Sequence, residues 1–384
     1  MSNAFDLQVL RRFPDLEAAN LVAVDATDRL ILAESGAAIE ATGPGRVAVV
    51  GDRYGAMTLG AMALHGAEDV RVHQDPITGE QALALNATRV EMTGGFRHLP
   101  MTPELFDGAT VIIGQLPKNL DALREIAQLA AAHADAGVTV FLGGRVKHMT
   151  RSMNDVLSER FADVRASLAQ QKSRVLMASD IRPPRSASAT EYPPWTEYPL
   201  RAHHGDLDLW VCAHGAAFAG TKLDMGTRFL LGFLERMNPT ATTAVDLGCG
   251  TGVIAAALAR ERQWLRVTAT DQSAAAVSSA AATAAANGLS ARVQVLRDDA
   301  MSTQPDASVD LILCNPPFHI GTSVNAGAAL RLFDAAGRVL APGGELWTVF
   351  NSHLAYDRAL NRAVGSTKVI GRNTKFTVTV STRR

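Results

Sequence analysis

Cysteine is scarce in this chain: three residues in 384, Cys212, Cys249 and Cys314. The count is odd and no pair has C-x-x-C spacing, which excludes a disulfide framework and a zinc ribbon and predicts reduced thiols and no metal site. Aromatic residues are also few, at 5%, so each one near a motif counts. Charge of one sign is missing: the net charge is −1, and no global basic excess announces a nucleic acid. No apolar run reaches the ~18 residues of a membrane span. The opening MSNAFDLQVL has no basic segment before an apolar one, so no secretory signal is expected and the location expected is cytoplasmic. What is present is length enough for two domains and an apolar content of 47%, sufficient for two cores.

The most specific segment is Asn315-Pro316-Pro317-Phe318, directly after the apolar run Leu311-Ile312-Leu313-Cys314. An amino group on a nucleobase is a poor nucleophile because its lone pair is delocalised into the ring. An Asn side-chain carbonyl and a rigid Pro main-chain carbonyl can accept its two hydrogens, loosen the conjugation and aim the lone pair at an electrophile. Two prolines fix φ and remove two N–H donors from the loop. The Phe318 ring offers a face for a base, and such stacking contributes about 1–3 kcal/mol. The chemistry implied is methyl transfer to an exocyclic nitrogen. The structural alternative is a Pro-Pro turn that ends a strand.

A methyl donor needs its own site, and Val245-Asp246-Leu247-Gly248-Cys249-Gly250-Thr251-Gly252 has the form of one. A short apolar strand and an acid lead into glycines at 248, 250 and 252, which let the backbone approach a ligand and take positive φ. A nicotinamide fingerprint would place glycine at 253, where Val253 stands. Asp271 closes the following apolar strand, at a distance suited to a ribose diol. Asp299-Ala300 follows Val293 to Leu296 and is placed to face an adenine ring. Asn351 follows the strand Leu346 to Phe350. These candidates sit at strand C-terminal ends, where open α/β sheets bind ligands. Cys249 and Cys314 lie inside the motifs, but an amino acceptor needs no enzyme nucleophile, and both read as small packing residues. His319 is placed for a base, although the methylated amino group loses its proton without one.

The first half repeats this logic in worn form. Val47 to Asp52 reads as a strand, followed by a helix to His65, a strand Val70 to His73, a strand Val111 to Gly114, a helix Asn119 to His133 and a strand Val138 to Leu142, which implies a parallel sheet. Gln115-Leu116-Pro117-Lys118 holds the place of the Asn-Pro-Pro-Phe loop, and only Gly51 and Gly55 remain of the glycine triplet. This half has lost its chemistry. Residues 182–194, RPPRSASATEYPP, read as a linker, dividing the chain into 1–181 and 195–384. Further on, Trp195 to Leu200 and Leu207 to Cys212 read as a hairpin whose turn carries His203 and His204. Arg228 to Met237 has helical periodicity, and Ala274 to Ala286 is a helix stopped by Asn287-Gly288. Thr367 to Gly371 and Phe376 to Val380 read as an antiparallel edge hairpin.

Together with NPPFH (315–319), the segments KLDMGTRFLL (222–231), PGGELW (342–347), NSHLAY (351–356) and NTKFTV (373–378) resemble the ribosomal RNA guanine-N2 methyltransferases, a class I S-adenosylmethionine-dependent family. GDRYGAMT (51–58), GQLPKNL (114–120) and GGRVKHM (143–149) look most like its large-subunit, 23S branch. The resemblance implies an α/β fold of two tandem Rossmann-like domains, the first degenerate, the second with a seven-stranded, mostly parallel sheet. It implies S-adenosyl-L-methionine bound by Asp246, Gly248, Gly250, Gly252, Asp271, Asp299, Ala300 and Asn315. Asp224 or Thr227 would meet the methionyl part, with an N-cap as the alternative role of Asp224. Asn315, Pro316 and Phe318 would hold the acceptor guanine. The partner implied is ribosomal RNA, free 23S rRNA being favoured, met by a monomer. Rivals are a 16S enzyme, an adenine-N6 or protein-glutamine methyltransferase, and a non-catalytic RNA-binding assembly factor. Two basic segments accord with an RNA partner or, equally, with solvated helix faces: nine Lys and Arg against four acids in 143–185, and seven against one in 351–384.

Overall fold

Runs such as Val47-Ala48-Val49-Val50 are apolar on both sides, and this is the signature of a strand covered on both faces. The computed structural model describes residues 5–18, 20–182, 195–317 and 323–384, without the side chains of 323–326. It divides into two compact units between Glu197 and Tyr198. In the first, β1 (Val47–Val50), β2 (Val70–His73), β3 (Phe96–His98), β4 (Val111–Gln115), β5 (Thr139–Arg145), β6 (Phe161–Ala166) and β7 (Ser173–Ile181) form one sheet in the order β3-β2-β1-β4-β5-β7-β6. Val47 and Val49 enter one core and Ala48 and Val50 the other, so helices cover both faces. Only β7 runs against its neighbours β5 and β6.

The second unit opens with a separate hairpin, β8 (Leu200–His204) and β9 (Leu209–Ala213), and then repeats the first sheet. Its strands are β10 (Thr243–Leu247), β11 (Arg266–Asp271), β12 (Val293–Arg297), β13 (Val309–Cys314), β14 (Leu340–Asn351), β15 (Gly365–Arg372) and β16 (Phe376–Arg383). Their order is β12-β11-β10-β13-β14-β16-β15. In both units strand order reverses at the first strand, between β1 and β4 and between β10 and β13. That reversal opens the crevice where sheets of this kind bind. The fold is therefore the duplicated α/β architecture expected, with a seven-stranded, mostly parallel sheet in each half.

Two local expectations need correction. The hairpin lies later than the apolar runs imply: His203 and His204 end β8, and the turn is 205–208. One face of β8 is open, so Arg201 and His203 point outward and the strand shows no continuous apolar run. The edge of β9 is covered by the helix Ala274–Ala286 and its cap. Ser279 and Thr283 of the helix and the capping Asn287 accept from the N–H groups of His214, Cys212 and Trp210. The helix expected at 228–237 is instead Met225–Leu231 followed by a 3-10 turn, Leu234–Arg236. It starts earlier because Asp224 caps it, accepting from the Thr227 N–H at 3.0 Å. The alanine-rich helix and the β15–β16 hairpin form where the sequence places them.

Candidate active site at the switch point

The site is assembled from the ends of β10, β11 and β13. Leu247 pairs with Thr270 on one side and with Cys314 on the other, which puts Gly248, Asp271 and Asn315 at one edge of the sheet. The glycines have the conformations expected of a ligand loop: φ is +74° at Gly248, +51° at Gly250 and +76° at Gly252. Their reasons differ. A Cβ on Gly248 or Gly250 would meet nothing within 4 Å, whereas one on Gly252 would lie 2.8 Å from the Ala280 Cβ. Gly252 is needed for helix packing, and the other two keep the backbone open. Asp271 braces the loop, accepting from the N–H of Gly250 at 3.1 Å and of Ser273 at 3.0 Å.

Asp246 lies fully buried in β10. Oδ2 accepts from the Ala255 N–H at 2.9 Å, at the start of the helix Val253–Glu261, and Oδ1 has no partner among the described residues. Burial, with the charge of Asp271 added, pushes its carboxyl up to about 7. After β12, Asp299 forms an ion pair with Arg331, and Ala300 takes a left-handed φ of +50°. The neighbouring Asp298 is tied into the turn by Ser302 and Thr303. Burial raises its carboxyl, but these hydrogen bonds outweigh it and hold the group below the usual carboxylate range. The thiols of Cys249 and Cys314 are buried and pushed up by that burial, Asp246 adding to the effect on both. Neither is poised as a nucleophile.

Asn315 is the best defined of the group. Its Nδ2 donates to Asp224 Oδ2 and to Thr227 Oγ1, each at 2.9 Å. A carboxylate only accepts, so this pairing fixes which end of the amide faces it. Asn315 Oδ1 is then left buried and without a partner among the described residues. Gly226 keeps the space beside it open: a Cβ there would sit 3.4 Å from Asn315 Oδ1 and 3.4 Å from the Phe376 ring. Pro316 is buried and Pro317 exposed. Phe318 and His319 lie outside the described residues. The sequence singled out Asp224 and Thr227 but not their contact with Asn315. That pairing spans 91 and 88 residues and leaves no local signal.

The first unit shows what a filled site looks like. Val50 pairs with His73 and Gly114 as Leu247 pairs with Thr270 and Cys314. Gln115 therefore stands where Asn315 does, and Asp52 where Cys249 does. Asp52 turns its carboxylate into the loop and accepts from the N–H of Gly55 at 3.0 Å and of Thr58 at 2.8 Å. Gln115 donates to Asp28, three residues after the capping Asp25, as Thr227 is three after Asp224. Tyr54 of the same loop donates its hydroxyl to Asp15 at 2.5 Å, and Arg12 covers its ring at 4.6 Å. The worn loop is closed by its own side chains.

An open glycine loop, a braced acid one strand over and a polar loop at the switch point define a class I S-adenosylmethionine-dependent methyltransferase, and the loop and Asp271 fit that cofactor. Residues 208–380 match the methyltransferase small domain, and residues 1–182 match the RLMG N-terminal domain. Ribosomal RNA large subunit methyltransferase G of Streptomyces avermitilis is 34% identical, covering 98% of this chain and 97% of its own. The protein of that name from Pseudomonas aeruginosa is 34% identical over 96% of each chain. Among solved structures, the T. thermophilus 16S rRNA N2 methyltransferase RsmC, in complex with AdoMet and guanosine, superposes with a TM-score of 0.70. It is 21% identical and covers 94% of this chain and 92% of its own, a likeness of fold. The chain belongs to the ribosomal RNA large subunit methyltransferase G family.

Proposed function

We propose that this protein methylates the exocyclic N2 of a guanine in ribosomal RNA, with free 23S rRNA as its substrate, acting as a cytoplasmic monomer. The observation that carries the reading is Asn315 Oδ1, a buried acceptor with no partner among the described residues, held in one orientation by Asp224 and Thr227. A buried carbonyl without a donor is costly, and an incoming amino group removes that cost while its lone pair is turned toward the methyl. Bound S-adenosylmethionine supplies an electrophilic methyl group. Asp271 and the loop 248–252 would bind and orient it, with Asp299-Ala300 beside the adenine. Asn315 and the Pro316 carbonyl would take the two amino hydrogens, and Phe318 would stack on the base. Most of the acceleration would come from positioning.

The large-subunit substrate is supported by the names of the relatives that share both halves of the chain. Lys118, Arg145 and Lys147 gather around His148 at the end of the worn sheet, an electropositive cluster suited to phosphates. Not all of the basic count serves this end: Arg160 is buried and Arg182 donates to the Ser158 and Phe161 carbonyls. No helix of the described residues is long and apolar enough to cross a membrane. Among the same residues no group of three or more His, Cys, Asp or Glu could hold a metal.

The test is incubation of the protein with radiolabelled S-adenosylmethionine and unmodified 23S rRNA, 16S rRNA and both ribosomal subunits, followed by digestion to nucleosides. Label in N2-methylguanosine from 23S rRNA is expected. Label in N6-methyladenosine or in protein would overturn the substrate.

A further inference from the structure

We propose that a groove beside the target site binds a second nucleobase, that of a nucleotide adjoining the methylated guanine. The inference rests on RNA being the substrate. The groove holds about 410 Å³ and is lined by Met225, Arg228, Phe229, Gly232, Phe233 and Asn373, within the range of small-ligand clefts. It lies between the helix Met225–Leu231 with its following turn and the loop that joins β15 to β16.

Three observations select the occupant. The groove neighbours the target site along one helix, on an adjoining face. Met225 adjoins Gly226, which lies against both Asn315 Oδ1 and the Phe376 ring, and Asn373 accepts from the N–H of Phe376 at 2.7 Å. The walls also suit a base. Phe229 and Phe233 are half-buried and stand nearly perpendicular, at 85° with centroids 5.4 Å apart, forming a corner for a flat ring. Gly371 lets Phe233 in, since a Cβ there would lie 2.3 Å from the ring. Asn373 uses its Oδ1 on the N–H groups of Lys375 and Phe376, so its Nδ2 hydrogens remain as donors to base edges. Finally, the rim is basic. Arg228 lines it, and Arg236, Arg372 and Lys375 are exposed on the flanking turn and loop, against Asp206 and Glu235; Arg228 pairs with Asp206, Arg236 lies over the Phe233 ring and Arg372 donates to Thr377. That balance suits a phosphate backbone.

Stacking in such a corner contributes about 1–3 kcal/mol, or roughly 5- to 150-fold in affinity. Two variants of the full chain test it without removing the aromatic walls. Gly232 has φ −63° and a Cβ there would approach the Phe229 carbonyl at an ordinary 3.4 Å, so Gly232→Leu fills the groove without backbone strain. Asn373→Asp keeps the acceptor that holds the turn and removes the donors. With unmodified 23S rRNA, both variants should raise KM for RNA about tenfold or more, with kcat at saturating RNA and the dissociation constant of S-adenosylmethionine within about twofold. An unchanged KM in Gly232→Leu would overturn the proposal. So would a rise confined to Asn373→Asp, because an added negative charge repels RNA wherever it passes. Wild-type protein that methylates no rRNA would overturn the RNA reading itself, a separate failure.

Discussion

The Nδ2 of Asn315 lies 2.9 Å from Asp224 Oδ2, and that contact, 91 residues long in sequence, decides which end of the amide faces the carboxylate and which faces away. Thr227 takes the second amide hydrogen, also at 2.9 Å. The helix N-terminus at 224–227 thus orients the acceptor, and Asp224 serves as cap and anchor at once.

Removing the acceptor itself should be the severest change. Asn315→Ala should lower kcat by on the order of 10²–10³, the usual effect of losing one group that contacts the reacting atoms, while donor affinity is retained. Thr227→Val keeps the shape and removes one anchor. It should lower kcat by about tenfold to a hundredfold, as misplacement does. Single-turnover methylation beside donor titration separates the two effects, and full activity in Thr227→Val would show that Asn315 needs no second anchor.

Asp271 braces Gly250 and Ser273, and in the proposed function it holds the ribose diol of the donor. Asp271→Ala should weaken donor binding by about 10- to 150-fold, the range for hydrogen bonds to a charged group. Turnover at saturating donor should change little. Calorimetric titration checks this, and an unchanged dissociation constant would remove Asp271 from the donor site.

Stability should carry a pH dependence from Asp246. Its carboxyl is raised from the ordinary 3.8 to about 7, chiefly by burial. Between those values the folded chain keeps a proton that the unfolded chain has lost. Stability from this group is therefore greatest below about pH 4 and declines as pH rises toward 7, by at most roughly 1.4 kcal/mol per pH unit. Asp28, also raised to about 7 by burial, acts with the same sign. Melting curves from pH 5 to 8 should fall more steeply for the native protein than for Asp246→Asn. Parallel curves would contradict the assignment.

The loop glycines should separate by their surroundings. Gly248→Ala meets open space and suffers only its left-handed backbone. Gly252→Ala adds a clash with Ala280, and overpacking of that kind costs about 1–3 kcal/mol more. Denaturant midpoints should rank native, Gly248→Ala, then Gly252→Ala. Equal midpoints would mean that the helix gives way.

Much of this was legible because it is local. A strand, a glycine turn and a helix follow one another within a few residues at 245–261, and Asn315 directly follows the uninterrupted apolar run Leu311–Cys314. Even the worn site could be placed, since Gln115 closes β4 as Asn315 follows β13. What could not be read depends on distance or on exposure. The link between Asp224 and Asn315 joins residues far apart in the chain. The β8 strand carries Arg201 and His203 on an exposed face, which breaks its apolar run. β6 and β7 carry Arg165 and Arg174 within a stretch that reads as charged surface. Net charge counted along the chain also overstated the free cations, because Arg160 and Arg182 are spent inside the fold.

Asp52 has a consequence beyond the loss of a site. In the second unit the N–H of Ala255 is met from the strand by Asp246, and the loop above it stays open. In the first, Thr58 is met from within the loop by Asp52, so the turn is already satisfied. On this geometry the first half offers S-adenosylmethionine no open turn, and the second should be stabilised by mass action. The protein carries an internal thermometer: a donor-dependent shift in one half can be read against a companion of the same architecture that stays silent.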